Sequence, residues 1–209
     1  MTPSEMSTLT EEVCRLAPVV PVLVIEDASE AKGLARALVS GGLPALEVTL
    51  RTPAALDAIR EMAKVEGGRV GAGTLLAPED VEAAMEAGAT FGVSPGATDR
   101  LLDACEANGL PLLPGAATAT EAMALLERGY TVQKFFPAEA SGGAAALKGI
   151  GAPIPQVRFC PTGGVSLKNA PDYLSLPNVL CVGGSWVAPK GGSAEEVEAL
   201  AREAAELAR

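Results

Sequence analysis

The chain contains no histidine. That removes the side chain that most often shuttles protons near neutral pH and the commonest metal ligand, so any catalyst must be drawn from Lys, Glu, Asp, Tyr or Cys. Cysteine is scarce as well. Cys14, Cys105, Cys160 and Cys181 are widely spaced and form no C-x-x-C pair, so they read as reduced core thiols, and no metal set is expected. Basic blocks are missing too: 16 Lys and Arg are scattered among 26 Asp and Glu, for a formal net charge of −10. Phosphate backbones need clustered cations, so a nucleic-acid partner is excluded and an anionic small molecule would need a local site. No apolar run reaches the roughly 18 residues that cross a bilayer. The opening MTPSEMSTLTEEVCRLA also lacks a basic start followed by an apolar core. The expectation is a cytoplasmic protein with no membrane partner.

What is present fits a packed domain. Hydrophobic residues make up 48% of 209 residues and glycine is frequent, which suits one globular domain over 1–209. Short β-branched runs recur along the chain: VVPVLVIE (19–26), ALEVTLR (45–51), RVGAGTLL (69–76), TFGVSPG (90–96), LPLLPGAA (110–117), TVQKFFPAE (131–139), VRFCPTGG (157–164) and VLCVGGSW (179–186). Helix-like segments alternate with them. Asp27 and Ser29, Thr52-Pro53, Pro78-Glu79-Asp80 and Thr120-Glu121 give start signals, while Gly41, Gly88, Gly109 and Gly129 give stops. The alternation predicts an α/β protein, a (β/α)8 TIM barrel with an extra N-terminal helix over 5–16 and a last helix over 194–208. A doubly wound open sheet is the rival, but the early G-x-G-x-x-G turn it would carry is absent.

In such a barrel, chemistry sits at the carboxyl ends of the strands. Period-two alternation in ALEVTLR sets Leu46, Val48 and Leu50 on one face and Glu47, Thr49 and Arg51 on the other. The apolar face must meet helices, so the ionic face points inward. In TVQKFFPAE the same parity groups Val132, Lys134 and Phe136. Burial disfavours the charged form of an amine, so a lysine on this face calls for a reason. Internal ion pairing that merely fills the barrel is the bland alternative for Glu47, Arg51 and Lys134. Thr162-Gly163-Gly164 and Gly183-Gly184-Ser185 follow the last two runs, where backbone N–H groups can cradle an anion. Thr74, Pro95 and Pro114-Gly115 also lie near strand ends, and Glu139 stands between loop solvation and the site.

EVTLRT (47–52), GAGT (71–74), SPG (94–96), KFFPAE (134–139), RFCPTGG (158–164) and GGSW (183–186) together resemble the 2-keto-3-deoxy-6-phosphogluconate aldolases, which overlap with the 4-hydroxy-2-oxoglutarate aldolases. The resemblance implies a class I aldolase assembled as a homotrimer, acting on a keto acid and an aldehyde without a cofactor. It places the Schiff-base lysine on Lys134 and the acid/base glutamate on Glu47. Carboxylate binding falls on Arg51 and Thr74, the pocket on Pro95 and Phe136, the pyruvyl neighbour on Thr162, and phosphate contacts on Gly163, Gly164 and Ser185. Many relatives carry an arginine in strand 1 where this chain has Val24. Two other readings are a barrel that isomerises or epimerises a sugar phosphate, and a stable barrel whose site is unused.

Overall fold

The β-branched runs become short parallel strands. The structure, a computed structural model, describes residues 1–208. Strands β1 (Val19–Leu23), β2 (Ala45–Thr49), β3 (Arg69–Gly73), β4 (Phe91–Val93), β5 (Leu112–Leu113), β6 (Gly115–Ala116), β7 (Val132–Phe135), β8 (Arg158–Pro161) and β9 (Val182–Gly184) alternate with helices. Those helices are α1 (Pro3–Arg15), α2 (Ala28–Ser40), α3 (Ala55–Met62), α4 (Pro78–Glu86), α5 (Asp99–Asn108), α6 (Ala119–Arg128), α7 (Gly143–Gly151), α8 (Ala170–Leu174) and α9 (Ala194–Ala205). None of the described helices is long and apolar enough to cross a membrane.

The strands hydrogen-bond in two parallel arcs, β5-β4-β3-β2-β1-β9 and β6-β7-β8. The expected single strand over 110–117 is divided at Pro114, which has no N–H to give to a ladder. Its carbonyl still accepts from Lys134 N–H at 2.8 Å. Isolated parallel bridges, Phe159 with Val179 and Thr162 with Gly183, link the run of β8 to that of β9. The ladders therefore form a curled α/β sheet in two pieces, where eight matched strands would have made one continuous ring.

Helix ends follow local chemistry, with two departures from the sequence signals. Asp27 caps α2 by accepting from Ser29 N–H at 2.8 Å. Thr118, two residues before the expected Thr120, opens α6 in a reciprocal box with Glu121. Thr52 does not cap α3, because its hydroxyl is taken by the Ile25 carbonyl. Gly109 and Gly129 end α5 and α6 with φ of +73° and +108°, as left-handed stops do. Gly41 ends α2 with φ of −76° and is also needed for packing: a Cβ there would lie 2.4 Å from that of Ala201 on α9.

Strand parity sorts the core into two parts. Leu46, Val48, Val70, Ala72, Phe135 and Phe159 join the cluster between sheet and helices. Val20, Ala45, Phe91, Val132, Cys160 and Cys181 face the other way and meet Val13 and Cys14 of α1. The N-terminal helix thus closes the inner face at the amino ends of the strands. Thr10 Oγ1 donates to the Leu112 carbonyl at 3.3 Å and Thr131 N–H donates to Ser7 Oγ at 3.0 Å, which docks α1 there.

Candidate active site

Two residues further along the same inner face, the apolar layer gives way to ions. Lys134 follows Val132 on β7, and Glu47 follows Ala45 on β2. The Lys134 Nζ lies 3.4 Å from Glu47 Oε1, and the two residues are only 6% and 3% exposed. A tight charge-assisted bond would be about 2.7–2.9 Å. The pair is in contact beyond that range. Phe136 continues the parity of Lys134, with its ring centroid 5.2 Å from Nζ. It lies just beyond β7, before a cis bond to Pro137.

Glycines make the volume for this pair. Gly73 ends β3 in register with Thr49, and a Cβ on it would lie 2.3 Å from Glu47 Oε1. Gly71, two residues earlier, leaves space for the Phe91 ring in the apolar layer. Gly183 does the same for Thr162, whose hydroxyl would lie 2.2 Å from an added Cβ. Side chains larger than hydrogen at these positions would fill the space that Glu47 and Thr162 occupy.

The other expected site residues are spread around this centre. Thr162 is buried at the end of the β8 run, with Oγ1 near the Cys160 carbonyl at 3.5 Å. Thr74 follows Gly73 through a cis peptide and is half-buried. Pro95 is half-buried after β4, and its carbonyl packs against Gly115, the register partner of Lys134. Arg51 departs from its expected place: β2 stops at Thr49, so Arg51 lies in the following turn and is exposed, not a strand residue on Glu47's face. Ser185 is exposed just beyond β9. Gly163 and Gly164 form a turn with φ of +101° and +78°, a left-handed geometry open to glycine.

Glu139 is not the lysine's carboxylate. It accepts a hydrogen bond from the Tyr173 hydroxyl, and burial pushes that phenol's pKa up, assisted by the same carboxylate. Sequence reasoning passed over two neighbours of the glycine turn. Tyr173 comes from α8, and Asn169 Nδ2 donates to the Gly164 carbonyl at 3.1 Å. The S-x-x-N spacing of Ser166 and Asn169 is the one local signal that could have marked the second. Below the ion pair, Cys160 is the register partner of Lys134, and all four cysteines are free and buried. Hydrogen bonding to Cys160 holds the Cys14 thiol well above its ordinary value.

A buried amine that can add to a carbonyl, faced by a carboxylate that can move a proton, sits at the carboxyl ends of parallel α/β strands. Fold and site together define an aldolase, a carbon–carbon lyase. The family model for KDPG and KHG aldolases matches residues 10–202. The 2-dehydro-3-deoxy-phosphogluconate aldolase of Zymomonas mobilis is 52% identical over 200 residues, spanning 95% of this chain and 96% of that one. The KHG/KDPG aldolase of Escherichia coli is 49% identical over 207 residues, with 97% of each chain covered. The crystal structure of the Zymomonas mobilis ZM4 enzyme with 3-phosphoglycerate superposes with a TM-score of 0.93, covering 95% and 96% of the two chains. That of the Legionella pneumophila KDPG aldolase, with pyruvate captured as a covalent carbinolamine, is 43% identical with a TM-score of 0.90, covering 94% and 98%. The chain belongs to the KDPG and KHG aldolase family.

Proposed function

We propose that the protein cleaves 2-keto-3-deoxy-6-phosphogluconate reversibly to pyruvate and glyceraldehyde 3-phosphate, and accepts 4-hydroxy-2-oxoglutarate as a second substrate. The observation that carries this is the buried contact of Lys134 Nζ with Glu47 at 3.4 Å. Lys134 attacks the C2 ketone, and the carbinolamine loses water to give a protonated imine. Glu47, directly or through a water, takes the proton of the C4 hydroxyl. The C3–C4 bond then breaks, with its electron pair moving into the iminium to form an enamine as the aldehyde leaves. Glu47 returns the proton to C3, and hydrolysis of the imine frees pyruvate and the amine.

The family motifs support the remaining assignments. Arg51 and Thr74 hold the substrate carboxylate, and Pro95 and Phe136 wall the pyruvyl pocket beside Thr162. Gly163, Gly164 and Ser185 receive the phosphate through backbone N–H and hydroxyl donors, where anions bind in barrels of this kind. The whole chain acts as one domain, its two arcs closing as a (β/α)8 barrel through the bridges of Phe159 and Thr162. Exposed Leu76 and Met123, 65% and 49% accessible, suit contacts between copies in a homotrimer. Four free thiols suit a reducing cytoplasm.

Pyruvate with borohydride tests the mechanism: the reduced adduct is expected on Lys134 by peptide mass mapping, and an unmodified Lys134 would sink the reading. Kinetics with the phosphorylated keto-deoxy acid and with 4-hydroxy-2-oxoglutarate then rank the two substrates. A sugar-phosphate isomerase would form no trapped adduct, and a barrel with an unused site would release no pyruvate.

A further inference from the structure

The Gly163-Gly164 turn is tied down on its outer side, carbonyl by carbonyl. Thr162 O accepts from Ala138 N–H at 2.8 Å and Gly163 O accepts from Glu139 N–H at 3.0 Å. Gly164 O accepts from Asn169 Nδ2 at 3.1 Å. The first two donors belong to the main chain, so of the three only Asn169 can be removed by substitution.

Asn169 is itself held at both ends of its amide. Its Oδ1 accepts from Ser166 N–H at 2.7 Å and from Ser166 Oγ at 3.2 Å, which leaves Nδ2 facing the Gly164 carbonyl. In a trans peptide the C=O and N–H point in opposite directions. Fixing the Gly163 and Gly164 carbonyls therefore turns the N–H groups of Gly164 and Val165 away from Glu139 and Asn169. Neither N–H donates to a partner among the described residues. The turn also has no slack against Glu139, since a Cβ on Gly164 would lie 2.7 Å from the Glu139 Cγ. Glu139 is in turn held by the Tyr173 hydroxyl.

We propose that Asn169 is a positioning residue for the phosphate end of the substrate: by holding the Gly164 carbonyl it aims the Val165 N–H, beside that of Gly164, at the anion. This rests on the phosphate reading of Gly163 and Gly164. Paired glycines have wide backbone freedom, and without the clamp the Gly164–Val165 peptide must be ordered when the anion arrives. A prearranged donor to a charged group is then lost, which corresponds to about a 10- to 100-fold weaker hold on the phosphorylated substrate.

Asn169→Ala and Asn169→Asp test this in the full-length protein. The Asp variant keeps an oxygen for Ser166 but has no N–H for Gly164. For each, KM and kcat are measured with 2-keto-3-deoxy-6-phosphogluconate and with the same acid lacking its phosphate, and pyruvate trapping on Lys134 is followed with borohydride. The expected result is normal trapping and unchanged kinetics on the unphosphorylated acid in both variants. KM for the phosphorylated acid should rise about 10- to 100-fold with kcat largely kept. A wild-type preference for phosphate in Asn169→Ala overturns the proposal. So does recovery in Asn169→Asp, which would reduce Asn169 to its contact with Ser166, and so does loss in Asn169→Asp alone, which would be a charge effect. Loss of trapping in both variants would mark a general structural role and overturn it too. If the parent enzyme treats both acids alike, the phosphate reading itself fails, and the proposal falls with it.

Discussion

Two layers of the same inner face, one side-chain repeat apart, have opposite character. The lower one is built of Ala45, Val132, Cys160 and Cys181, packed against Val13 and Cys14 of α1. One repeat toward the carboxyl ends stand Glu47, Lys134, Thr162 and Gly183. Strands, parity and backbone pairing are shared, so the difference lies in the side chains and in what closes each end. The lower end is sealed by a helix and is apolar, so it contributes stability through burial. The upper end keeps a buried lysine and glutamate in contact, and such pairs add little net stability. Gly73 and Gly183 give up packing there to leave room for Glu47 and Thr162. One end of the sheet is stabilising at the other end's benefit.

The comparison breaks most completely if the upper layer is made apolar. Lys134→Met should abolish both adduct trapping and pyruvate release. Left alone, the buried Glu47 should cost about 3–5 kcal/mol in urea unfolding, and the double change Lys134→Met with Glu47→Leu should recover most of it. Recovery of activity by an unrelated lysine would contradict the assignment. Glu47→Gln comes next: it keeps the shape, and kcat should fall about 10²–10⁴-fold while imine trapping persists. Trapping lost together with turnover would show that Glu47 acts before cleavage.

Gly73→Ala should cost less, about 10²-fold in kcat, because its methyl displaces the carboxylate without removing it. Gly33→Ala on α2, where a Cβ meets nothing within 4 Å, is the control and should leave turnover unchanged. The smallest effect on catalysis is expected from the lower layer itself. Val132→Ala should reduce stability by about 2–3 kcal/mol with KM nearly unaltered. A large change in KM there would mean that the two layers are mechanically coupled.

Much of this was legible in the residues. Alternation placed Glu47 on the inner face of one strand and Lys134 on that of another, because a pleated strand leaves only two choices of face and helices must cover the apolar one. The parity placement of Arg51 failed for a local reason. Parity holds only while the strand lasts, and β2 stops at Thr49, two residues short. Thr52 looked like a helix cap, yet the Ile25 carbonyl, distant in the chain, claims its hydroxyl. The division of 110–117 could have been read from Pro114, since a missing N–H interrupts a ladder wherever it falls.

Which carboxylate meets the lysine was beyond local reasoning. Glu139 is five residues from Lys134 in the chain and Glu47 is 87 away, yet Glu47 is the one in contact, and Glu139 turns to Tyr173. The sequence by itself determined the strand and helix order, the inward parity of both charged residues and the family, because periodicity and motif spacing are local properties. Only the tertiary structure decided that Gly73 and Gly183 make room for Glu47 and Thr162 and that α1 seals the opposite end. Those contacts join residues far apart in the chain, and their distances follow from how the strands curl and pack.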